Sequence, residues 1–261
     1  MERTGPPPDE LSSIRSAVEW AIATRRSVRA YLPKPVPHET IKAILDVSRY
    51  AATGVNIQPW KVHVVMGDAR DRVCAAIAKV DNDPELADAH ADEWDYYPEE
   101  WVSPYIDRRR DIGWKLYGLL GIEKGDKQRM HAQHGRNYQF FDAPVGLFFT
   151  IDRVMQRGSL LDYGMFLQNI MVVARTYGLS TCPQAAFMKY HKIIEQELGL
   201  PPEEMFLVGM SLGYADESRI ENSLVSERAP SSTFTVYHAT ALPADGPIAP
   251  PTISILKWRR P

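Results

Sequence analysis

Val145-Gly146-Leu147-Phe148-Phe149-Thr150-Ile151 is a near-continuous apolar run of strand length, far too short to span a membrane, and it reads as the central strand of a sheet. Downstream, Leu160 to Tyr177 forms a long apolar helix closed by Gly178 at its C′ position. Its hydrophobicity predicts burial on most sides. A short helix around His191–Leu198 then ends at Gly199, and Met205 to Leu212 supplies another buried strand. Upstream, Lys61 to Met66 alternates as a strand does and precedes a helix from about Ala69 to Lys79.

Nearer the start, Ile14, Val18, Ala21 and Ile22 recur at helical spacing up to about Thr24. Leu32 to Pro37 must be extended, because proline disfavours helix in the residue before it. A second helix is expected from His38, burying Ile41, Ile44, Leu45 and Val47. It should end at Thr53-Gly54, where glycine can take a positive φ. Helices and strands intermix without a regular βαβ rhythm, which points to an α+β layered fold. Two stretches stand apart. Residues 81–136 are polar and charged yet hold Trp94, Tyr96, Tyr97, Trp101, Tyr105, Trp114 and Tyr117, so they read as helices covering something. The proline-rich tail 222–261, with one β-like run at Thr252–Leu256, has little core of its own and should lie across another surface; residues 1–10 read as a flexible leader.

The balance of the 261 residues, 44% hydrophobic and 24% charged, is that of a globular protein. With 33 acidic and 30 basic residues the net charge is −3, giving no electrostatic reason to expect nucleic acid or an anionic membrane as partner. Two cysteines, Cys74 and Cys182, exclude a disulfide framework and suit a reducing cytoplasm, and the N-terminus lacks the apolar core of a secretory signal.

Neither a Rossmann glycine fingerprint, a P-loop nor a nucleophile elbow is present. His131 and His134 lack further ligands at metal spacing, so no metal is expected. Four short stretches carry more. Arg25-Arg26-Ser27-Val28-Arg29 offers guanidiniums and a hydroxyl that can surround a phosphate, or it is a solvated basic turn. Ala51 to Trp60 sets small residues, Asn56 and Gln58 directly before a strand, which suits a planar ligand with polar edges or an ordinary loop. Thr181 to Phe187 offers backbone N–H groups beside small side chains, and Ser226 to Pro230 adds Arg228.

In this order and at these separations, the four stretches resemble the FMN-dependent nitroreductase family. The likeness runs from about Ala23 to Pro230 and includes Leu161-Asp162-Tyr163-Gly164, Asn169-Ile170 and Gly209 through Tyr214. The resemblance implies a three-layer α+β fold, with a mostly antiparallel sheet flanked by helices, in an intertwined homodimer that exchanges C-terminal arms. It implies an FMN-binding domain over residues 11–221, with 81–136 as a variable cover and 222–261 as an arm around the partner. Arg25, Arg26, Ser27, Arg29 and Arg228 would hold the FMN phosphate and ribityl chain. Thr53, Gly54, Val55, Asn56 and Gln58 would line the flavin from the neighbouring subunit, and Pro183, Gln184, Ala185 and Ala186 would lie along its reactive edge. Asn137 or Gln139 would meet the pyrimidine edge. The implied activity is ping-pong reduction of nitroaromatic or quinone-like acceptors by NADH or NADPH, with no side chain acting as nucleophile. Trp101, Tyr105, Arg108 and Arg109 are candidates for acceptor recognition. The alternatives are a reductive dehalogenase of the same superfamily and a non-catalytic flavin-binding dimer.

Overall fold

Four strands, β1 (Lys61–Met66), β2 (Val145–Asp152), β3 (Ser180–Gln184) and β4 (Glu204–Gly213), form one antiparallel sheet in the order β1-β2-β4-β3. The run 145–151 is thus an inner strand, as its unbroken hydrophobicity requires, and every residue of it is buried. The structure is a computed structural model that describes residues 10–238. The leader before residue 10, the tail beyond 238 and its Thr252–Leu256 run lie outside the described residues.

The helices are α1 (Leu11–Thr24), α2 (His38–Ser48), α3 (Gly67–Asp81), α4 (Pro84–Asp88), α5 (Tyr105–Leu119), α6 (Lys127–Gly135), α7 (Arg157–Thr176) and α8 (His191–Leu198). Residues 25–224 make one compact unit; α1 belongs with residues 225–238 in a second. Within the larger unit the pleat sorts side chains into two layers. Val145, Leu147, Phe149 and Ile151 of β2 pack with Ile41 and Ile44 of α2 and Tyr163, Phe166, Ile170 and Ala174 of α7. On the opposite face Phe148 and Phe206 pack with Val73, Cys74 and Ile77 of α3, Ile194 of α8, and the aromatics Tyr138, Phe140 and Phe187. A sheet covered by helices on both faces is a three-layer arrangement.

Three expectations need correction. Helix α2 stops at Ser48, not at Thr53-Gly54: Ser48 Oγ turns back onto the Ile44 carbonyl at 2.7 Å, and Asn169 of α7 donates to the Ser48 carbonyl at 3.3 Å. Val47 is consequently half exposed, whereas Ile41 and Ile44 are buried. Helix α7 is buried on one side only, because Leu161 is 71% exposed and Met165 is also exposed. Thr181 to Gln184, where no strand was expected, is part of the edge strand β3. Pro183 fits an edge, where a missing N–H leaves no inner ladder broken.

Candidate functional site

The 27–32 segment is sewn to the sheet at the β3 end. Ser27 bridges Thr181, Val28 N donates to the Thr181 carbonyl at 3.1 Å, and Leu32 N donates to the Tyr214 carbonyl at 2.9 Å. This brings Arg29 beside Cys182 in the wall of a cavity of about 490 Å3, within the range of small-molecule sites. The same cavity is lined by Asn137, Pro183, Gln184, Ala185 and Ala186. Six residues singled out in sequence, separated by more than 150 positions, therefore share one concavity.

Burial raises the Cys182 thiol above its ordinary pKa, opposed by the Arg29 charge, a Ser27 hydrogen bond and the Arg25 charge. It lines the cavity as a neutral group. The arginines divide in their engagements. Arg26 is paired with Glu217 at 2.9 Å, while among the described residues Arg29 Nη1 hydrogen-bonds to the Ser27 carbonyl at 3.2 Å and makes no ion pair, and its backbone N–H is taken by Asn222 Oδ1. Arg228 sits in the smaller unit and folds back on its own loop, donating to Ser226 Oγ at 2.6 Å and to the Glu227 carbonyl.

Gln184 is a strut. Its Nε2 donates to the Asn137 carbonyl at 2.7 Å, and its Oε1 lies 2.6 Å from Ser211 Oγ, so the buried side-chain amide is spent on the wall itself. What Gln184 presents to the cavity is the surface of that wall. Geometry also separates Asn137 from Gln139. Asn137 lines the cavity, whereas Gln139 points at α3, where its amide meets the Cys74 carbonyl and its carbonyl accepts from Arg70. The intervening 3-10 turn Arg136–Asp142 is pinned by Arg136, which pairs with buried Glu221 at 2.7 Å and with Asp142 at 2.9 Å.

Thr53, Gly54, Val55, Asn56 and Gln58 do not line this cavity. They form an outward turn in which Val55, Asn56 and Gln58 have positive φ (44°, 61° and 52°); Gly54, expected to supply that conformation, does not. A β-branched residue at positive φ is strained and persists only where its surroundings hold it. Here the hold comes from Asp162 of α7, which accepts from Gly54 N at 3.1 Å. Val55 is 93% exposed.

The 81–136 segment supplies a further part of the lining. Helix α5 contributes Arg109, Gly113, Leu116 and Tyr117, whose spacing is one helical face. Of the four acceptor candidates only Arg109 lines the cavity; Trp101 stands behind it at 4.6 Å, and Tyr105 and Arg108 do not reach it. Sequence reading passed over Gln133, His134 and Lys189 as lining residues. No motif marks them, because the segments carrying them meet only after folding. Among the described residues one acid–histidine group has ligand spacing, Glu93, His191 and Glu195, and Arg153 already pairs with both carboxylates. No helix among the described residues is long and apolar enough to cross a membrane.

The family model described as Nitroreductase family matches residues 22–214. The chain is 41% identical over 216 residues to a 4-nitrobenzoate reductase of Pseudomonas putida, covering 83% of this chain and 93% of that one. A crystal structure of the FMN and NADPH-dependent nitroreductase NfnB from sphigopyxis sp. strain HMH superimposes with a TM-score of 0.81 at 33% identity, covering 85% of this chain and 99% of that one. The FMN-dependent NfnB of Mycobacterium smegmatis, solved in complex with NADPH, gives a TM-score of 0.81 at 29% identity over 87% of this chain and 100% of its own.

Proposed function

The chain belongs to the nitroreductase family, and from that membership we propose that it is an FMN-dependent NAD(P)H oxidoreductase that reduces nitroaromatic acceptors. The observation that carries this reading is the cavity uniting Arg29, Asn137 and the Pro183–Ala186 wall. The donor set fits a flavin mononucleotide: a guanidinium without a carboxylate partner among the described residues for a phosphate or ribityl oxygen, an amide for a heterocycle edge, and a wall of small side chains for a flat ring. Bound FMN would supply two-electron transfer between nicotinamide and acceptor.

The chain's own residues bind, orient and exclude water. Arg25, Arg26 and Ser27 extend the anion site from Arg29, with Arg26 exchanging its surface pairing to Glu217 for the phosphate. Gln184 holds the ring-facing wall at fixed depth through Asn137 and Ser211. The aromatic cover narrows the mouth.

The functional unit in this reading is a homodimer. The strained turn 53–58 presents Val55, Asn56 and Gln58 outward, away from its own cavity, where a second copy's flavin would use them. Helix α7 exposes Leu161 and Met165, apolar surface suited to a symmetric contact. The 222–261 tail is the arm expected to wrap the partner, and a reducing cytoplasm is the expected location.

Anaerobic absorption spectroscopy of the purified protein tests the reading. Flavin bands should bleach on adding NADH or NADPH and return on adding a nitroarene, and the faster donor identifies the preferred nicotinamide. Bound flavin that stays oxidised with both donors contradicts the reductase reading, and protein that binds no FMN contradicts the cofactor.

A further inference from the structure

We propose that Arg109, assisted by Lys189 and Gln133, forms a carboxylate subsite in the cavity wall that selects aromatic acceptors bearing a ring carboxylate; this rests on the reductase reading above. Arg109 has no ion-pair partner among the described residues. Its guanidinium is held instead by aromatic faces, 4.6 Å from the Trp101 ring centre and 5.7 Å from that of Tyr97. Cation–π contact fixes the position of a guanidinium without cancelling its charge, because a ring quadrupole carries no net charge.

That placement is buttressed. Tyr97 packs on Trp101 at 5.5 Å and on Tyr96 at 4.7 Å, Tyr96 packs on Trp94 at 5.8 Å, and Trp94 Nε1 donates to the Phe206 carbonyl of β4 at 3.2 Å. A ladder of aromatics thus ties the positive charge on the cover to the sheet.

Two further donors face the same space. Lys189 lines the cavity and rests on the Tyr190 ring at 5.4 Å, again without an ion pair among the described residues. Gln133 also lines it, and its Nε2 is a buried donor with no hydrogen-bond partner among the described residues. Such a donor favours an acceptor oxygen beside it. The one carboxylate in the lining, Asp92, makes no ion pair with Arg109, and burial raises its pKa against the opposing charges of His191 and Lys189. Arg109, seated on rings and facing no carboxylate partner among the described residues, keeps its charge for a ligand. A ring carboxylate supplies two acceptor oxygens in the plane that a guanidinium fork matches, attached to a flat ring that suits the aromatic walls.

The test compares 4-nitrobenzoate with neutral, isosteric 4-nitrobenzamide as acceptors of the FMN-loaded protein. It also compares benzoate with benzamide as ligands read by protein fluorescence, to which Trp101 contributes. The wild type should favour the carboxylate in kcat/KM, and Arg109→Gln should lower the nitrobenzoate-to-nitrobenzamide ratio by about tenfold or more. Lys189→Gln and Gln133→Leu should lower it less. Benzoate should bind more tightly than benzamide and lose that advantage in Arg109→Gln. A ratio equal in wild type and R109Q overturns the proposal. So does a loss confined to the KM for NADPH relative to NADH, which would assign the charge to a dinucleotide phosphate. If R109Q does not fold, the wild-type ratio read against ionic strength decides: recognition of charge weakens as salt screens it, and an invariant ratio overturns the proposal. Absence of turnover with every nitroarene would refute the reductase reading alone, since benzoate binding still reports on the subsite.

Discussion

Glu204 shows how a single carboxylate ties three strands together. Burial pushes its pKa up, but hydrogen bonds from Thr150, His63 and Lys61 outweigh that and hold it below the usual glutamate range. Lys61, itself raised chiefly by its hydrogen bond to Asp152, completes the group across β1, β2 and β4. A depressed folded pKa stabilises the protein above the unfolded value, about 4.3, and that contribution disappears as pH falls through the folded value. The thermal midpoint should therefore drop on acidification below about pH 5, and Glu204→Gln should flatten part of that slope while lowering the midpoint at neutral pH. A variant that keeps the wild-type slope would remove Glu204 from the account. Gln184 is the corresponding residue on the cavity side. Gln184→Leu leaves the Asn137 carbonyl without its donor and Ser211 without one of its two acceptors, since Ser211 also lies 2.8 Å from the Phe140 carbonyl. Urea unfolding should report a loss of about 2–3 kcal/mol, accompanied by weaker FMN retention on gel filtration because the wall loses its brace.

The two inner strands give the cavity its backing. On the face toward α3 and α8, β2 presents Gly146 and Phe148, and opposite them β4 presents Ser211 and Gly209. The Phe140 ring occupies the space over Gly146, and the Phe187 ring lies 2.5 Å from where a Cβ on Gly209 would be. These glycines serve close approach of side chains to a flat sheet, and both φ values are ordinary. The β-bulge opposite Phe149 and Thr150 makes Leu207 an extra residue, so that Phe206 and Gly209 face the same layer. Phe140, Phe141 and Asp142 run at positive φ (52°, 54° and 71°), which turns the chain sharply enough to seat Phe140 on the sheet and Phe141 in the cavity wall. Gly146→Ala collides with the Phe140 ring and displaces that turn. Chemical denaturation should show a loss of about 3 kcal/mol, and Gly209→Ala a comparable loss through Phe187. A near-neutral Gly146→Ala would mean that Phe140 can leave the sheet freely. Helix α7 was legible in its length and its Gly178 stop (φ 69°), but not in the direction of its faces, since Leu161 and Met165 look like core residues until Asp162, Tyr163 and Phe166 are seen pointing inward.

For the whole molecule the open question is the assembled state. Leu161→Glu places a charge at a position that is solvent-exposed in one chain and buried in the proposed dimer. Sedimentation should show conversion to monomer with loss of bound FMN and little change in the secondary-structure spectrum. A dimer that retains FMN with glutamate at 161 would move the subunit contact elsewhere. Strand and helix positions were readable from the order of residues because they depend on local periodicity: Lys61–Met66 and His191–Leu198 fall where alternation, helical spacing and a terminal glycine put them. The arginine run, the 51–60 turn and the 181–187 stretch stood out in the sequence because binding a phosphate and a flat ring demands particular residue types close together, and of these Arg29 and residues 182–186 meet in the cavity wall. The edge strand β3 was not readable, since it is stabilised by its neighbour β4 and carries a proline. Nor was the placement of Asn137 in the cavity wall and of Gln139 against α3, which turns on where the left-handed residues after them send the chain. Arg109, Lys189 and Gln133 carry no mutual signal along the chain, because a charge left without a partner is a property of three-dimensional surroundings, and only folding decides which charges find one.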